Sequence, residues 1–313
     1  MPILILGAAG MLGRKLTAAI MGGALPFSRL TLADVVAPPP VDGAVTLALN
    51  LADPGAAAIL VKDRPGLIFH LAAVVSGEAE ADLARGYAVN LDASRALFDA
   101  IAAIPDYCPR VVFASSLAVF GAPFPKVIPD DFHLTPRTSH GTQKAMTALL
   151  LSDCSRRGLN GVALRLPTIC IRPGAPNRAA SGFYSSILRE PLSGLPATLP
   201  VRDSLRHWFA SPRAATGFLL RSDAGNRPAW PQPRAVDARL VGPQRRDDQD
   251  AAARGRASGD GPDPPPARPG VVTSWAQACG AKTARSLGFI AESGCDEIIR
   301  ISVHDENPCH RTA

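Results

Sequence analysis

The chain has 313 residues, 47% of them apolar and 19% charged, which excludes a disordered polymer or a small disulfide scaffold and supplies one large core or two smaller ones. Lys and Arg outnumber Asp and Glu by 33 to 27, but only five of the basic residues are lysines, and no block of like charge forms. A dispersed net charge of +6 suits small anionic ligands and argues against a nucleic-acid groove.

Residues 1–25 are apolar enough to suggest an export signal or an anchor. Arg14 and Lys15, however, lie within the run instead of ahead of it and break any uninterrupted apolar span. The segment is expected to be a buried strand over residues 2–6, a glycine turn at Gly7, Gly10 and Gly13, and a helix over residues 11–20 of a soluble, cytoplasmic protein. The glycines let the backbone turn tightly and approach a pyrophosphate. The helix that follows presents free N–H groups and a positive dipole end to the same anion. A second strand over residues 30–33 ends in Asp34, 21 residues beyond Gly13. A carboxylate there accepts from both hydroxyls of a ribose and repels a 2′-phosphate, so the unit predicts NAD in preference to NADP.

A strand over 44–49 comes next, with Asn50-Leu51-Ala52-Asp53-Pro54 opening a helix. Residues 66–73 form an apolar strand with His70 near its end, residues 81–104 a long helix containing Asn90, and residues 110–116 another buried strand. A helix over 139–157 and a strand over 161–166 complete the series. This alternation predicts an α/β fold with a doubly wound parallel sheet that binds ligands at the carboxyl ends of its strands. Gly7 to Gly13, Asp34, His70 to Ala73 and Ser115-Ser116 all fall at those ends. His70 fits a packed strand end, Arg165 a structural role, and Cys154 and Cys170 the core. The six cysteines hold no C-x-x-C pair, which fits a reducing compartment, and the spacing of His304, Cys309 and His310 matches no common metal site.

GAAGMLG at 7–13, HLAA at 70–73, SSLAVFG at 115–121 and a four-residue catalytic spacing ending in Lys144 resemble the extended short-chain dehydrogenase/reductases, the NAD-dependent epimerase/dehydratase family. The similarity runs from residue 1 to near 223 and resumes from Trp275 to Ile299. It implies a Rossmann NAD-binding domain over 1–166 and a smaller substrate lobe over 167–313. It further implies NAD contacts from Gly7, Gly10, Met11, Leu12, Gly13, Asp34, Ala72, Asn90, His140 and Lys144, with Asn50 and Leu51 at the adenine and Pro167 and Thr168 on the nicotinamide side. Ser116 is then expected to bond the reacting hydroxyl, and Lys144 to tune the acid/base and hold the nicotinamide ribose. Stretches 119–131, 164–183 and 206–215 imply a small anionic sugar acid oxidised at its 2-hydroxyl, with Ser76, Ser116, Asn177, Ser181 and Arg206 as substrate contacts. Arg206 can fork onto a carboxylate or pair with a surface acid, and Asn177 and Ser181 fit either substrate contact or loop capping. Helices beginning near 82 and 139 imply a homodimer.

Two features depart from the family. Its Tyr-x-x-x-Lys appears as His140-Gly-Thr-Gln-Lys144, and the only tyrosines are 87, 107 and 184. Three readings stay open: a crippled enzyme, His140 as a base kept neutral by Lys144, or a displaced tyrosine or sequence error. A dehydrogenase, a nucleotide-sugar epimerase and a non-catalytic NAD-binding protein therefore all remain candidates. Residues 225–270 hold nine Pro, six Gly and only three Val, Leu or Ile, which predicts a disordered insertion or a frameshifted stretch.

Overall fold

The computed structural model describes residues 1–174, 179–192, 194–202, 205–223, 275 and 278–306. The expectations for Asn177, for 225–270 and for the tail residues Cys309 and His310 lie outside the described residues.

Six parallel strands form the main sheet: β1 (Pro2–Leu6), β2 (Arg29–Asp34), β3 (Ala44–Ala48), β4 (Leu67–His70), β5 (Arg110–Ser116) and β6 (Asn160–Leu166), in the order β3-β2-β1-β4-β5-β6. The chain therefore reverses direction of build between β1 and β4, and a crevice opens there at the carboxyl ends. Both faces of the sheet are covered, which is why β1 is apolar at every position. Ile3 and Ile5 point into one cluster with Leu16 and Ile20 of α1 (Met11–Met21) and Phe218 of a later helix. Leu4 and Leu6 point into the other, with Leu60 of α2 (Ala56–Val61) and Leu97 and Phe98 from the far side.

The expected single helix over 81–104 is corrected by the structure. Its place is taken by α3 (Ser76–Ala81), α4 (Leu83–Tyr87), a π turn (Ala88–Asp92) and α5 (Ala93–Ala102). Asp82 breaks the run: its backbone is extended (φ −134°, ψ 92°), and its carboxylate caps α4 by accepting from the Arg85 N–H at 2.9 Å. The π turn inserts an extra residue and rolls Asn90 inward. The expected strand over 66–73 also shortens to Leu67–His70: the Leu71 N–H still bonds the Leu6 carbonyl at 2.9 Å, and Ala72 then lies against the glycine turn. The helix expected to open at Asn50 starts later. Asn50 first closes a turn, accepting from the Ala52 N–H and donating to Asp53, before Gly55 at φ +82° leads into α2.

Beyond the sheet, α6 (Ser139–Arg156) covers β5 and β6, and a second parallel pair, β7 (Thr168–Ile169) with β8 (Phe209–Ala210), starts the remaining segment. Then come α7 (Gly182–Leu192), α8 (Pro212–Ser222), α9 (Lys282–Ser286) and α10 (Cys295–Glu306). Helix α8 packs on α1, and Phe218 and Phe289 share the cluster of Ile3 and Ile5, so this segment is built onto one face of the sheet. The Lys15–Glu306 ion pair and the Arg213–Asp305 pair fasten α10 to α1 and α8. None of the helices among the described residues is long and apolar enough to cross a membrane.

Candidate active site

The glycine turn follows β1 directly. Gly7 has φ +84°, and a Cβ on it would lie 2.6 Å from the Ala72 backbone nitrogen. On Gly13 a Cβ would lie 2.6 Å from the Ala8 Cα, so α1 starts as close to its strand as backbone atoms allow. Gly10 is the N-cap of α1 and has no side chain to offer, and the first turn of α1 contains no acid. The N–H groups of Met11, Leu12 and Gly13 are left for an acceptor from outside the helix, which fits a pyrophosphate. At the end of β2, Asp34 accepts from the Ala9 N–H at 2.9 Å and the Val35 N–H at 2.7 Å. These bonds aim its carboxylate across the mouth of the turn. Asn50 and Leu51 follow β3 beside it, and Leu51 lines a cleft of about 350 Å³ with Asp53, Pro54, Ala88 and Asp92.

The other wall is α6. Thr138 caps it by accepting from the Gly141 N–H at 3.0 Å, which puts His140 in the first turn and Lys144 one turn later on the same face. Gly141 is required here, because a Cβ would press on the Ala118 carbonyl. That contact joins the helix to Ser116, whose hydroxyl oxygen accepts from the Ala118 N–H at 3.1 Å. Lys144 is buried, donates to the Ala114 carbonyl at 2.8 Å and sits 4.5 Å from the Phe113 ring centroid. Burial lowers its pKa to about 7.

His140 approaches the Val74 carbonyl through Nδ1 at 3.0 Å. Burial and the neighbouring Lys144 ammonium lower its pKa to about 3, against the pull of the Val74 carbonyl. The positive end of α6 disfavours the imidazolium as well. Burial more than Lys144 disfavours the charged ring, and its basicity falls well below the ordinary 6.5. Val74 is only two residues beyond Ala72, so the glycine turn and α6 meet across one short segment after β4.

Asn90 was expected at the cofactor. Its carboxamide instead faces the protein: Oδ1 accepts from the Val74 N–H at 2.8 Å, and Nδ2 donates to the Val74 carbonyl at 3.1 Å and to Gln143 Oε1 at 2.7 Å. With both amide hydrogens engaged and 1% of its surface exposed, it has none to offer a ligand. Ser76 is buried and accepts from the Ala180 N–H at 3.0 Å, so it anchors the loop before α7. Ser181 accepts from Arg172 at 3.2 Å within that loop. Pro167 and Thr168 lie buried where β6 passes into β7, and the Thr168 hydroxyl bonds His207 Nε2 at 2.7 Å. Arg206 is exposed and forms no ion pair among the described residues. His70 bonds Ser94 at 2.9 Å and packs edge-on to Phe113, as a strand-end residue should. Arg165 is buried 5.2 Å from the Phe120 ring centroid, in keeping with a structural role. Cys170 is buried, whereas Cys154 is half-buried on α6. Among the described residues no group of three or more His, Cys, Asp or Glu is placed to hold a metal.

Nothing in the sequence marks Val74, Gln143 or His207. Gln143 stands inside HGTQK and His207 beside Arg206. The signal that could have found them is a polar residue at a buried helix or strand position, visible only once burial is known.

Residues 3–221 match the sequence pattern of the NAD dependent epimerase/dehydratase family. Over 97% of its length the chain is 42% identical to a D-erythronate dehydrogenase of Cupriavidus necator, of which it covers 98%. A D-erythronate dehydrogenase of Haemophilus influenzae is 44% identical over 71% of this chain and 72% of its own. A crystal structure described as a nucleoside-diphosphate-sugar epimerase from Agrobacterium tumefaciens superposes with a TM-score of 0.82 at 46% identity, covering 99% of this chain and 94% of that one.

Proposed function

Because the chain belongs to the NAD-dependent epimerase/dehydratase family, we propose that it is an oxidoreductase that removes hydride from the 2-hydroxyl carbon of a small sugar acid, with D-erythronate as substrate and NAD as cofactor. The observation that carries this reading is the short segment 71–74. It packs on Gly7 of the phosphate turn at one end and holds His140 at the other, so a dinucleotide on the turn ends beside His140, Lys144 and Ser116.

NAD fits the residues present. The bare first-turn amides of α1 at Met11, Leu12 and Gly13 suit its pyrophosphate. Asp34 suits the adenosine ribose, Asn50 and Leu51 the adenine, and Lys144 with Pro167 and Thr168 the nicotinamide side. When bound, NAD supplies the hydride acceptor. The chain's own residues supply the rest. Ser116 has a hydroxyl proton that no described acceptor takes, and it holds the substrate oxygen. His140 Nε2 accepts the hydroxyl proton as hydride leaves, so base and acceptor act on one carbon. Burial, with the Lys144 ammonium, keeps the imidazole neutral. Arg206 meets the substrate carboxylate, while Ser76 and Ser181 hold the segment that leads into α7. The Rossmann unit is assigned to 1–166 and the substrate lobe to 167–313. Exposed Met146 and Leu149 on α6 and Leu83 on α4 suit a homodimer face, and we place the protein in the cytoplasm.

The name of the Agrobacterium relative favours a second reading, a nucleotide-sugar epimerase. One titration separates them: NAD is added with and without D-erythronate, and absorbance of reduced nicotinamide is followed. Appearance of the reduced band with D-erythronate supports the dehydrogenase. Epimerisation of a uridine-diphosphate sugar without net reduction supports the second reading. NAD binding with neither reaction leaves a non-catalytic NAD-binding protein.

A further inference from the structure

We infer that Asn90 is the positioning residue of the base, clasping the Val74 peptide so that its carbonyl keeps the proton of His140 on Nδ1 and leaves Nε2 bare toward the substrate. The inference rests on the reading of His140 as base and concerns how that base is made ready.

A carbonyl oxygen has no proton to give, so the 3.0 Å contact between His140 Nδ1 and the Val74 oxygen is a hydrogen bond only when Nδ1 carries the hydrogen. In the neutral ring the lone pair then sits on Nε2, and the ring's hydrogen bond to the described residues is the one through Nδ1. The opposite tautomer would set a ring lone pair against a carbonyl lone pair. The direction of the Val74 peptide therefore decides which nitrogen can accept a proton, and a neutral imidazole offers only one acceptor.

What fixes that peptide is Asn90. Its carboxamide meets both polar groups of Val74, as a neighbouring strand would, although Val74 lies beyond the end of β4. The orientation of the amide is itself determined: Oδ1 must face the Val74 N–H, so Nδ2 faces the Val74 carbonyl and Gln143 Oε1. Gln143 is fully buried on α6 between His140 and Lys144, so the clasp and the base are anchored to one helix. The π turn is what rolls Asn90 into place. Its backbone carbonyl is bonded in turn by Ser94 at 3.0 Å and Thr147 at 2.8 Å, which stiffens the turn from α5 and α6. Ser76 extends the arrangement, since two residues beyond Val74 it anchors Ala180. A buried polar group of this kind is costly when half satisfied, so each member holds the next.

The test reads the tautomer directly. The intact protein, labelled with ¹⁵N-histidine, is examined by NMR at neutral pH, and the His140 signals are assigned by their loss in His140→Gln. The expected result is a ring protonated at Nδ1 and unprotonated at Nε2. In Asn90→Ser the Val74 carbonyl is released, and a ring protonated mainly at Nε2 is expected. Asn90→Asp can still accept from the Val74 N–H but not donate to its carbonyl, and it should shift the ring in the same sense. Kinetics supply the second arm. Asn90→Ser should lower kcat about tenfold in the native background. It should cost less than about twofold in a His140→Tyr background, because a phenol has no second tautomer. A native ring protonated at Nε2, or a tautomer unchanged in both Asn90 variants, overturns the inference whatever the activity. Equal kcat losses in the two backgrounds overturn it too, since they mark a merely structural residue. An Nδ1–H ring that responds to Asn90, in a protein that does not oxidise D-erythronate, supports the clasp and removes only the substrate reading.

Discussion

Replacing His140 by tyrosine perturbs the site where it departs from its family. The imidazole is held at about 3 by burial and by Lys144. That is about 3.5 pH units below an ordinary histidine, or about 5 kcal/mol of proton affinity at about 1.36 kcal/mol per unit. General-base catalysis contributes about 10²- to 10⁴-fold, equivalent to about 3–5 kcal/mol of barrier. The two figures are of the same size, so the imidazole keeps little of a base's usual contribution, and the native chain should turn over slowly. A phenol at the same place is raised by burial but lowered by the Lys144 ammonium, which returns it toward working pH. His140→Tyr should therefore raise kcat for D-erythronate about 100-fold or more. The assay is the initial rate of reduced-nicotinamide formation between pH 5 and 10. His140 should contribute no acid limb near 6.5, since the ring is already neutral there, and a change near 7 follows Lys144. The tyrosine variant should gain a limb at higher pH, where its phenol ionises. Lys144→Ala should abolish turnover in both. Native turnover within a fewfold of the variant refutes the reasoning.

Asp34→Ala should weaken NAD about tenfold and leave NADP unchanged or tighter, because it removes the acceptor for the ribose and the charge that repels a 2′-phosphate; equal affinity of the native protein for both cofactors refutes it. Gly10→Val sets its Cβ 3.3 Å from the Gly7 carbonyl, a tight contact that a small shift of the turn relieves, and with a folded circular-dichroism spectrum it should lose NAD binding by calorimetry; unchanged binding removes the phosphate site. Acid should destabilise the fold steeply. His70, His140 and His207 are each held at about 3, so below about 6.5 the unfolded chain takes up protons that the folded one refuses. Stability is then present above 6.5 and lost as pH falls, with an upper bound of about 4 kcal/mol per pH unit for three groups. Urea unfolding at pH 7.5 and 5 checks this, and equal stabilities at the two refute it.

The strands and the ligand edge were legible in the sequence because they rest on local information. The apolar run of residues 2–6, the glycines at 7, 10 and 13 and the acid at 34 each declare their own backbone geometry. Their spacing alone puts them at one end of a parallel sheet. The same holds for His140 and Lys144, four apart and therefore on one helix face. What the sequence did not reveal is where tertiary contacts override the local pattern. Residues 81–104 have a helical period, yet the Asp82 cap and the π turn at 88–92 break them, and only packing against α6 makes the inward turn of Asn90 worthwhile. Asn90 and Val74 stand 16 residues apart, and Val74 and His140 stand 66 apart. No local rule relates such positions. The nitrogen of His140 that carries its proton was therefore settled by the fold, through a carbonyl that the sequence marks in no way. A periodic pattern reports which face of an element is buried, but hydrogen bonds between remote polar groups exist only after burial has excluded the water that would otherwise satisfy them.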